Sequence, residues 1–480
     1  MSIRRDTILN IGGSIIPMIL SLGIIPLYLG FIGVERYGTM AVIWSLLSYF
    51  SFFDLGFGSA ITQRMSSQED KSDKNLSDLL WTALVSTFFL GSVAGLLLQA
   101  SASFVFENFV HLSQSNYAEA SSAIFWLFPA LSILLPITVL QGALQAKFRF
   151  ASVNSIQIFG NTLGQVLPLC AAALGYISLN VLVPIALLPR VLVMLLLFWQ
   201  CRTHVPIRGL PLLDKRHFIA LINYGKWASL VTVLAPILTT IDRLIIASFS
   251  GAKAVTYYAV PFDLVSRTMI ISKGLSSAIF PRLAQSDSKT SFDLAARTSV
   301  ILIDLLSPIV IFGIFIVGPF LKLWLGAEFS QYSKGIGELI LLGVWFNALV
   351  VPFHARSMAA NSPKFVVLIY LFEIPIYLLL LWAGLKIYGL PGAAGAWAIR
   401  VLIDSILLLR LNSALFICIK NVRISLLLVL TSECLTLFYN NDYIPYLGIP
   451  ILLCSLYLGR NSIQQIFPPS FFRNLLKTND

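Results

Sequence analysis

Long apolar blocks alternate with short polar connections along the chain. The block from Val181 to Trp199, for example, contains one charged residue, Arg190. A run of about 18 or more apolar residues is long enough to cross a bilayer as a helix. The pattern therefore predicts fourteen membrane spans, near residues 8–31, 37–61, 79–105, 121–145, 151–175, 180–200, 218–247, 255–280, 295–321, 335–360, 364–387, 390–417, 424–440 and 445–459.

Composition strengthens this prediction. Of the 480 residues, 57% are hydrophobic and 11% are charged, whereas soluble domains average roughly 25% charged residues. These values exclude a soluble globular protein and a disordered chain. The longest polar stretches, Gln63–Asp78 and Cys201–His217, are too short for a water-soluble domain of about 50 residues. We therefore expect an all-α polytopic membrane protein whose activity resides in its helices.

The positions of Lys and Arg predict the orientation of the spans. Loops on the side of the N-terminus contain most of these residues, including Arg4, Arg64, Lys147 and Arg216. Cytoplasmic loops of membrane proteins carry such an excess of positive charge. Both termini are therefore predicted to be cytoplasmic. The five cysteines are scattered outside the predicted external loops, so we expect no disulfides.

An internal repeat divides the sequence into halves. With a shift of 218 residues, 31–64 aligns with 249–282 without a gap, with identities at Gly33/Gly251 and Arg64/Arg282. The shift spans six helices, so both copies have the same orientation, as in transporters with parallel repeats. The alternative is chance similarity between apolar helices. We predict an N-lobe at 1–200, a cytoplasmic linker at 201–216, a second six-helix lobe at 217–417, and accessory helices thirteen and fourteen with a cytoplasmic tail at 418–480.

Helix breakers are concentrated in the first span of each lobe. Span one contains Pro17, Gly23 and Pro26, and span seven contains Pro236. Proline removes a backbone hydrogen bond and kinks a helix. We expect these four residues to form a gate or hinge that bends as the two lobes rock in alternating access, although glycine and proline are also generally frequent in membrane helices.

Charged residues within the predicted spans are the candidate chemistry. An ionisable side chain at the bilayer centre costs about 2.5–3.5 kcal/mol on insertion scales, so such residues need a partner, water or a ligand. Asp263/Arg267 and Arg400/Asp404 are spaced to neutralise each other on one helix. Other cations lack an obvious local partner, although they could extend to the interface or pair with a distant carboxylate. The predicted cationic, anion-binding cavity comprises Lys226, Arg267, Lys273, Arg356, Arg190 and Arg400. The predicted ion-coupling carboxylates are Asp54, Asp242, Asp263, Asp304 and Glu373.

Motifs of several enzyme classes are absent from the sequence. No P-loop and no HExxH pattern occurs. We therefore expect no catalytic residues, no bound metal and no cofactor.

Several segments together resemble Wzx-type flippases, the polysaccharide-transporter branch of the multidrug/oligosaccharidyl-lipid/polysaccharide (MOP) exporter superfamily. They are Pro26-Leu27-Tyr28, Gly33 to Gly38, Asp54-Leu55-Gly56-Phe57-Gly58, Asp242-Arg243 and Tyr257-Tyr258. The resemblance implies a MATE-like fold of 12–14 helices in two lobes. It also implies a flippase that moves undecaprenyl-pyrophosphate-linked oligosaccharide, such as an O-antigen unit, to the periplasmic leaflet of the bacterial inner membrane. The resemblance further implies that an ion gradient, of H⁺ or Na⁺, drives this movement. The implied partners are this lipid, membrane lipids, a polysaccharide polymerase and a chain-length regulator, and no nucleic acid.

Three alternatives remain open from the sequence. Two belong to the same superfamily: a cation-coupled drug antiporter, which would favour unpaired acidic residues, and a lipid II flippase. The third is a membrane glycosyltransferase or O-antigen polymerase, which would need long external loops. The loops Glu107–Ala120 and Lys322–Lys334 are too short for that purpose.

Overall fold

The computed structural model describes residues 3–66, 72–108, 110, 112–147, 149–205, 213–223, 226–359, 363–438 and 444–466, which are almost entirely helical. The helices are α1 (Ile3–Phe50), α2 (Phe57–Ser66), α3 (Asp73–Asn108), α4 (Gln114–Ile124), α5 (Leu127–Ala146), α6 (Phe150–Ala173), α7 (Leu179–His204), α8 (Lys215–Asn223), α9 (Lys226–Ser266), α10 (Met269–Gln285), α11 (Ser288–Leu325), α12 (Ala327–Ala359), α13 (Pro363–Leu411), α14 (Leu415–Phe438) and α15 (Ile444–Ile466).

Many of these helices have the length and composition of membrane spans. Within the described residues, eight segments meet both criteria, and Gly448–Arg460 forms a shorter apolar helix. The eight are Lys74–Glu107, Leu127–Ala146, Phe150–Ala173, Leu179–His204, Ser288–Leu325, Ala327–Ala359, Lys364–Leu411 and Leu415–Thr436. The predicted all-α polytopic membrane protein is confirmed.

Three long helices are each divided by a glycine with a positive φ. The backbone leaves helical geometry at Gly33 in α1 (φ 79°, ψ 165°), at Gly251 in α9 (φ 78°, ψ 174°) and at Gly389 in α13 (φ 64°, ψ −142°). Glycine adopts these torsion angles without the steric cost of a Cβ atom. Each glycine lies between two spans that the sequence predicts as separate. The nearly equal torsion angles at Gly33 and Gly251, which the shift of 218 residues aligns, support the internal repeat.

The chain divides into two compact units, Met1–Thr256 and Tyr257–Asp480. In the first unit, α2, α3, α5 and α7 enclose a core that includes Phe57, Leu80, Leu140 and Leu197. Small residues let the helices approach closely: a Cβ atom on Gly91 of α3 would come within 2.5 Å of the carbonyl oxygen of Leu131 in α5. Such contacts are typical of membrane helices, where packing rather than hydrophobic burial holds helices together.

In the second unit, α11, α12 and α13 pack side by side. The fully buried indole of Trp345 in α12 donates a 2.8 Å hydrogen bond to the hydroxyl of Ser307 in α11. This bond satisfies the indole N–H, which would otherwise be a buried donor without an acceptor. The predicted lobe boundaries at 200, 217 and 417 stay a prediction.

Candidate functional site

A buried charged cluster lies within α13 of the second unit. Glu373 precedes the break at Gly389, and Arg400 and Asp404 follow it. All three side chains are less than a tenth exposed, and Nη1 of Arg400 lies 3.8 Å from Oε2 of Glu373. Asp404 interacts electrostatically with both partners. The two halves of α13 thus bring together what we call the Glu373 cluster: Glu373, Arg400 and Asp404.

Aromatic and imidazole groups surround the Glu373 cluster. The guanidinium carbon of Arg400 lies 5.8 Å from the ring centres of both Tyr377 and Trp397, a distance typical of cation–π contacts. On α12, Nε2 of His354 lies 3.3 Å from the hydroxyl oxygen of Tyr370, and His354 also interacts electrostatically with Asp404. The cluster contains two carboxyl groups and one guanidinium. With both carboxyl groups ionised, the cluster would carry one net negative charge, which is costly in a buried site. One bound proton makes the cluster neutral, so the cluster is suited to binding and releasing a single proton.

Arg190 lies in the first unit and is half-buried, on the inward face of α7. It shares this face with Ala186, Val193 and Leu197, because helix positions three or four residues apart point the same way. The opposite face of α7 is exposed and apolar, and comprises Leu188, Leu192, Leu195 and Trp199.

The Arg190 guanidinium donates a 3.1 Å hydrogen bond from Nη1 to Oδ1 of Asn161 in α6. No carboxylate pairs with Arg190 in the part of the chain that the structure describes. One turn further along α6, Oε1 of Gln165 is buried without a hydrogen-bond partner. Most of the five donors of this guanidinium therefore have no acceptor among the described residues.

The other predicted cations have different surroundings. Arg356, in the last turn of α12, donates from Nη1 to Oδ1 of Asn412 at 2.6 Å and from Nη2 to both oxygens of Ser288. These bonds tie the ends of three helices together. Nε of Arg267 lies 3.3 Å from the backbone oxygen of Asp263, and Lys273 is exposed. The side chain of Lys226 lies outside the described residues. Arg190 belongs to the first unit, while Arg267, Lys273, Arg356 and Arg400 belong to the second.

The predicted ion-coupling carboxylates also differ in surroundings. Thr138 donates a 2.6 Å hydrogen bond to Oδ1 of Asp54, which precedes the left-handed residues Leu55 and Gly56 at the start of α2. Asp242 is fully buried, and its Oδ1 accepts the backbone N–H of Arg243 at 2.8 Å. Asp304 is half-buried on α11.

The predicted hinge residues lie within continuous helix. Gly23 and Pro26 both lie within α1, whose backbone departs from helical geometry at Gly33. The side chains of Pro17 and Pro236 lie outside the described residues. The bending of spans one and seven stays a prediction.

Equivalent residues of the internal repeat contact each other within the first unit. Gly38 packs so closely against the backbone of Ala252 that a Cβ atom on Gly38 would overlap its carbonyl oxygen. The hydroxyl of Thr256 donates a 2.6 Å hydrogen bond to the carbonyl oxygen of Val34. The shift of 218 residues aligns Val34 with Ala252 and Gly38 with Thr256, so the contacts are reciprocal. Reciprocal contacts are the signature of a two-fold axis. We call this the two-fold contact.

An ion pair lies close in sequence to the two-fold contact. Nε and Nη2 of Arg36 donate to the two carboxylate oxygens of Glu119 at 2.9 and 2.8 Å. Oε2 of Glu119 also accepts the backbone N–H of Leu179, at the start of α7. The hydrogen bond from Arg36, with the backbone bond from Leu179, holds the pKa of Glu119 below its usual range. The pair thus connects the end of span one to α4 and α7.

Membrane-length helices, an internal repeat and buried charged groups together are typical of multi-pass membrane transporters. The chain belongs to the polysaccharide biosynthesis protein family, whose family model matches residues 3–287. This membership confirms the resemblance drawn from the sequence.

Two relatives extend over most of the chain. A Shigella flexneri protein assigned as an O-antigen transporter is 27% identical over 420 residues, which cover 85% of this chain and 97% of the relative. The uncharacterized membrane protein EpsK of Bacillus subtilis (strain 168) is 22% identical over 421 residues, covering 82% and 80% of the two chains.

Solved structures share the fold at low sequence identity. The lipid II flippase MurJ in an inward closed conformation matches with a TM-score of 0.73 and 15% identity, covering 96% of this chain and 99% of that chain. An inward-facing multidrug resistance MATE transporter of the MOP superfamily matches with a TM-score of 0.65 and 12% identity, covering 87% and 98%. The predicted MATE-like fold is confirmed.

Proposed function

We propose that this protein is a flippase that moves an undecaprenyl-pyrophosphate-linked oligosaccharide across the bacterial inner membrane. The family and the O-antigen transporter relative support a lipid-linked glycan as the cargo. A polymerase and a chain-length regulator would then act on the delivered glycan as partners. The observation that carries the proposal is the Arg190 guanidinium, which is half-buried within a membrane-length apolar helix and has no carboxylate partner in the described residues.

A pyrophosphate is the substrate group that fits this guanidinium best. Arginine remains charged in proteins, and its planar fork donates two parallel hydrogen bonds to phosphate. A cation kept in the membrane without a counter-charge is costly, and a passing pyrophosphate would offset that cost. Arg190 is therefore the first candidate of the predicted cationic cavity. Lys226, Arg267 and Lys273 remain candidates, whereas the bonds of Arg356 to Asn412 and Ser288 favour a positioning role.

Two substitutions at Arg190 should distinguish the contribution of its positive charge from that of its planar guanidinium. We expect Arg190→Ala to lower glycan delivery to the cell surface about 10- to 100-fold, because charge-assisted hydrogen bonds contribute about 1.5–3 kcal/mol and each 1.4 kcal/mol is a factor of ten. Arg190→Lys should restore part of this loss. The measurement is surface glycan in a flippase-deficient strain, normalised to the amount of protein in the membrane.

Arg202 provides the matched control for this experiment, because it is exposed in the last turn of the same helix. Arg202→Ala should deliver glycan at the wild-type level. Full delivery by Arg190→Ala would show that this guanidinium does not bind the substrate. Rescue of a lipid II flippase deficiency, with no effect on surface glycan, would instead assign the protein to the alternative lipid-pyrophosphate cargo.

We further propose that the transport is coupled to protons through the Glu373 cluster. Sodium and other hard cations require several oxygen ligands, and the guanidinium of Arg400 already lies beside the carboxylate that would have to supply them. A proton needs one oxygen and leaves the ion pair intact. Asp54, Asp242, Asp263 and Asp304 remain candidates for additional proton-binding groups.

The orientation of the chain has its own test. The excess of Lys and Arg in loops on the N-terminal side supports cytoplasmic termini. Reporter fusions after Gly209 and after Asp480 should both give the cytoplasmic signal, while a fusion after Lys253 should give the periplasmic signal. A periplasmic signal after Gly209 would contradict the two-lobe alignment.

A further inference from the structure

A second group of buried charges joins the accessory helix α14 to α12. Glu433 of α14 is 4% exposed, and Glu338 of α12 is 2% exposed. Both carboxyl oxygens of Glu433, and Oε1 of Glu338, lack a hydrogen-bond partner. The two carboxyl groups interact electrostatically. Glu433 is thus a carboxyl group in the interior of an apolar helix with no donor to satisfy it within the described residues.

The charges around this pair do not balance. Nζ of Lys334 lies 4.0 Å from Oε1 of Glu338, one turn earlier on α12. Helices α11, α13 and α15 also pack against α14, but among the described residues Glu338 is the charged group that acts on Glu433. Two carboxylates and one ammonium would leave one uncompensated negative charge. A buried charge of this kind is strongly disfavoured, and the usual solution is to neutralise the group.

The pair is distinct from the Glu373 cluster. Glu338 and His354 are both on α12, sixteen residues apart, which corresponds to about 24 Å along a helix at 1.5 Å per residue. Glu338 lies in the first half of α12, whereas His354 lies close to its end. The two groups therefore lie at different depths and can exchange protons independently.

We propose that Glu338 and Glu433 form a proton-binding site, in which protonation of one of the two buried carboxyl groups allows α14 to dock against α12. Lys334 balances the ionised partner, and the proton makes the other partner neutral. Loss of the proton leaves two buried like charges with one ammonium to balance them, which favours separation of the two helices. The docking of the accessory helix is in this way linked to proton concentration, whichever lipid the protein carries.

Infrared difference spectroscopy of the full-length protein in lipid nanodiscs tests the proposal, because a protonated carboxyl group has a C=O band that a carboxylate lacks. We expect a band in the wild type that disappears as the pH is raised and that is absent from Glu433→Gln. Glu338→Gln should move the loss of this band to lower pH, because it removes the repelling charge. Lys334→Met should increase the band at neutral pH, because the pair then needs a second proton to be neutral.

Thermal unfolding provides a second measurement of the same site. Glu433→Gln mimics the protonated carboxyl group in shape and charge, so its stability at high pH should exceed that of the wild type. Ser432→Ala is the matched control: this neighbouring hydroxyl bonds within its own helix, to the backbone oxygen of Leu428, and the band should be unchanged. A wild-type band that persists in full in Glu433→Gln would overturn the proposal, as would equal stability of Glu433→Gln and the wild type at every pH.

Discussion

Gly38→Val should abolish glycan delivery while the protein remains inserted in the membrane. Gly38 leaves no room for a side chain, because its Cα packs against the backbone carbonyl of Ala252 and next to the hydroxyl of Thr256. A backbone group cannot move aside as a flexible side chain can, so the branched valine would force the two-fold contact apart. If this contact closes one side of the transporter, the variant would be unable to complete the alternating-access cycle. The measurement is surface glycan together with the amount of membrane-inserted protein.

The same helix offers a matched control for Gly38→Val. A Cβ atom on Gly30 would meet nothing within 4 Å, so Gly30→Val should transport at close to the wild-type rate. Thr256→Val removes the hydrogen bond to Val34 but keeps the volume of the side chain. Because one such bond contributes about 0.5–1.5 kcal/mol, we expect a loss of several-fold at most. Wild-type delivery by Gly38→Val would show that the two-fold contact never has to close.

The sequence predicts the architecture well because the repeat marks residues with special backbone requirements. Gly33 and Gly251 align in the sequence, and both have the positive φ that glycine adopts without strain. Apolar periodicity also locates the spans, since a bilayer imposes a minimum helix length. Neither signal indicates that Gly38 contacts Ala252, because this depends on how the two copies of the repeat pack.

The buried charges were harder to predict. Spacing along one helix suggests Asp404 as the partner of Arg400, but the ion pair at 3.8 Å is with Glu373, which lies on the other side of the break at Gly389. Local spacing cannot give the register between two antiparallel segments. Arg356 lacks a partner nearby in sequence, yet Asn412, 56 residues away, accepts its hydrogen bond. Glu433 was missed altogether, although a single carboxylate within an apolar helix is a usable signal.

Arg400→Leu should strongly destabilise the protein, and removal of one carboxylate should restore most of that stability. Breaking a buried ion pair by removing one partner costs about 3–5 kcal/mol, because the other charge stays buried without compensation. Removing both partners costs much less for the same reason. The double variant Arg400→Leu/Glu373→Gln should therefore unfold at a higher temperature than Arg400→Leu, because Asp404 can then be neutralised by a single proton.

A transport assay distinguishes the proposed role of the Glu373 cluster in proton coupling from its role in stability. Glu373→Gln keeps the guanidinium and leaves Asp404 as its counter-charge, so the variant should fold but should no longer exchange a proton. We expect it to lose glycan delivery driven by a proton gradient, and the stable double variant should lose it as well. Arg410 lies exposed in the last turn of α13, and Arg410→Leu should change neither stability nor transport. Full gradient-driven delivery by Glu373→Gln would exclude the Glu373 cluster as the coupling site. Equal stability of Arg400→Leu and the wild type would show that the ion pair contributes nothing to the stability of the fold.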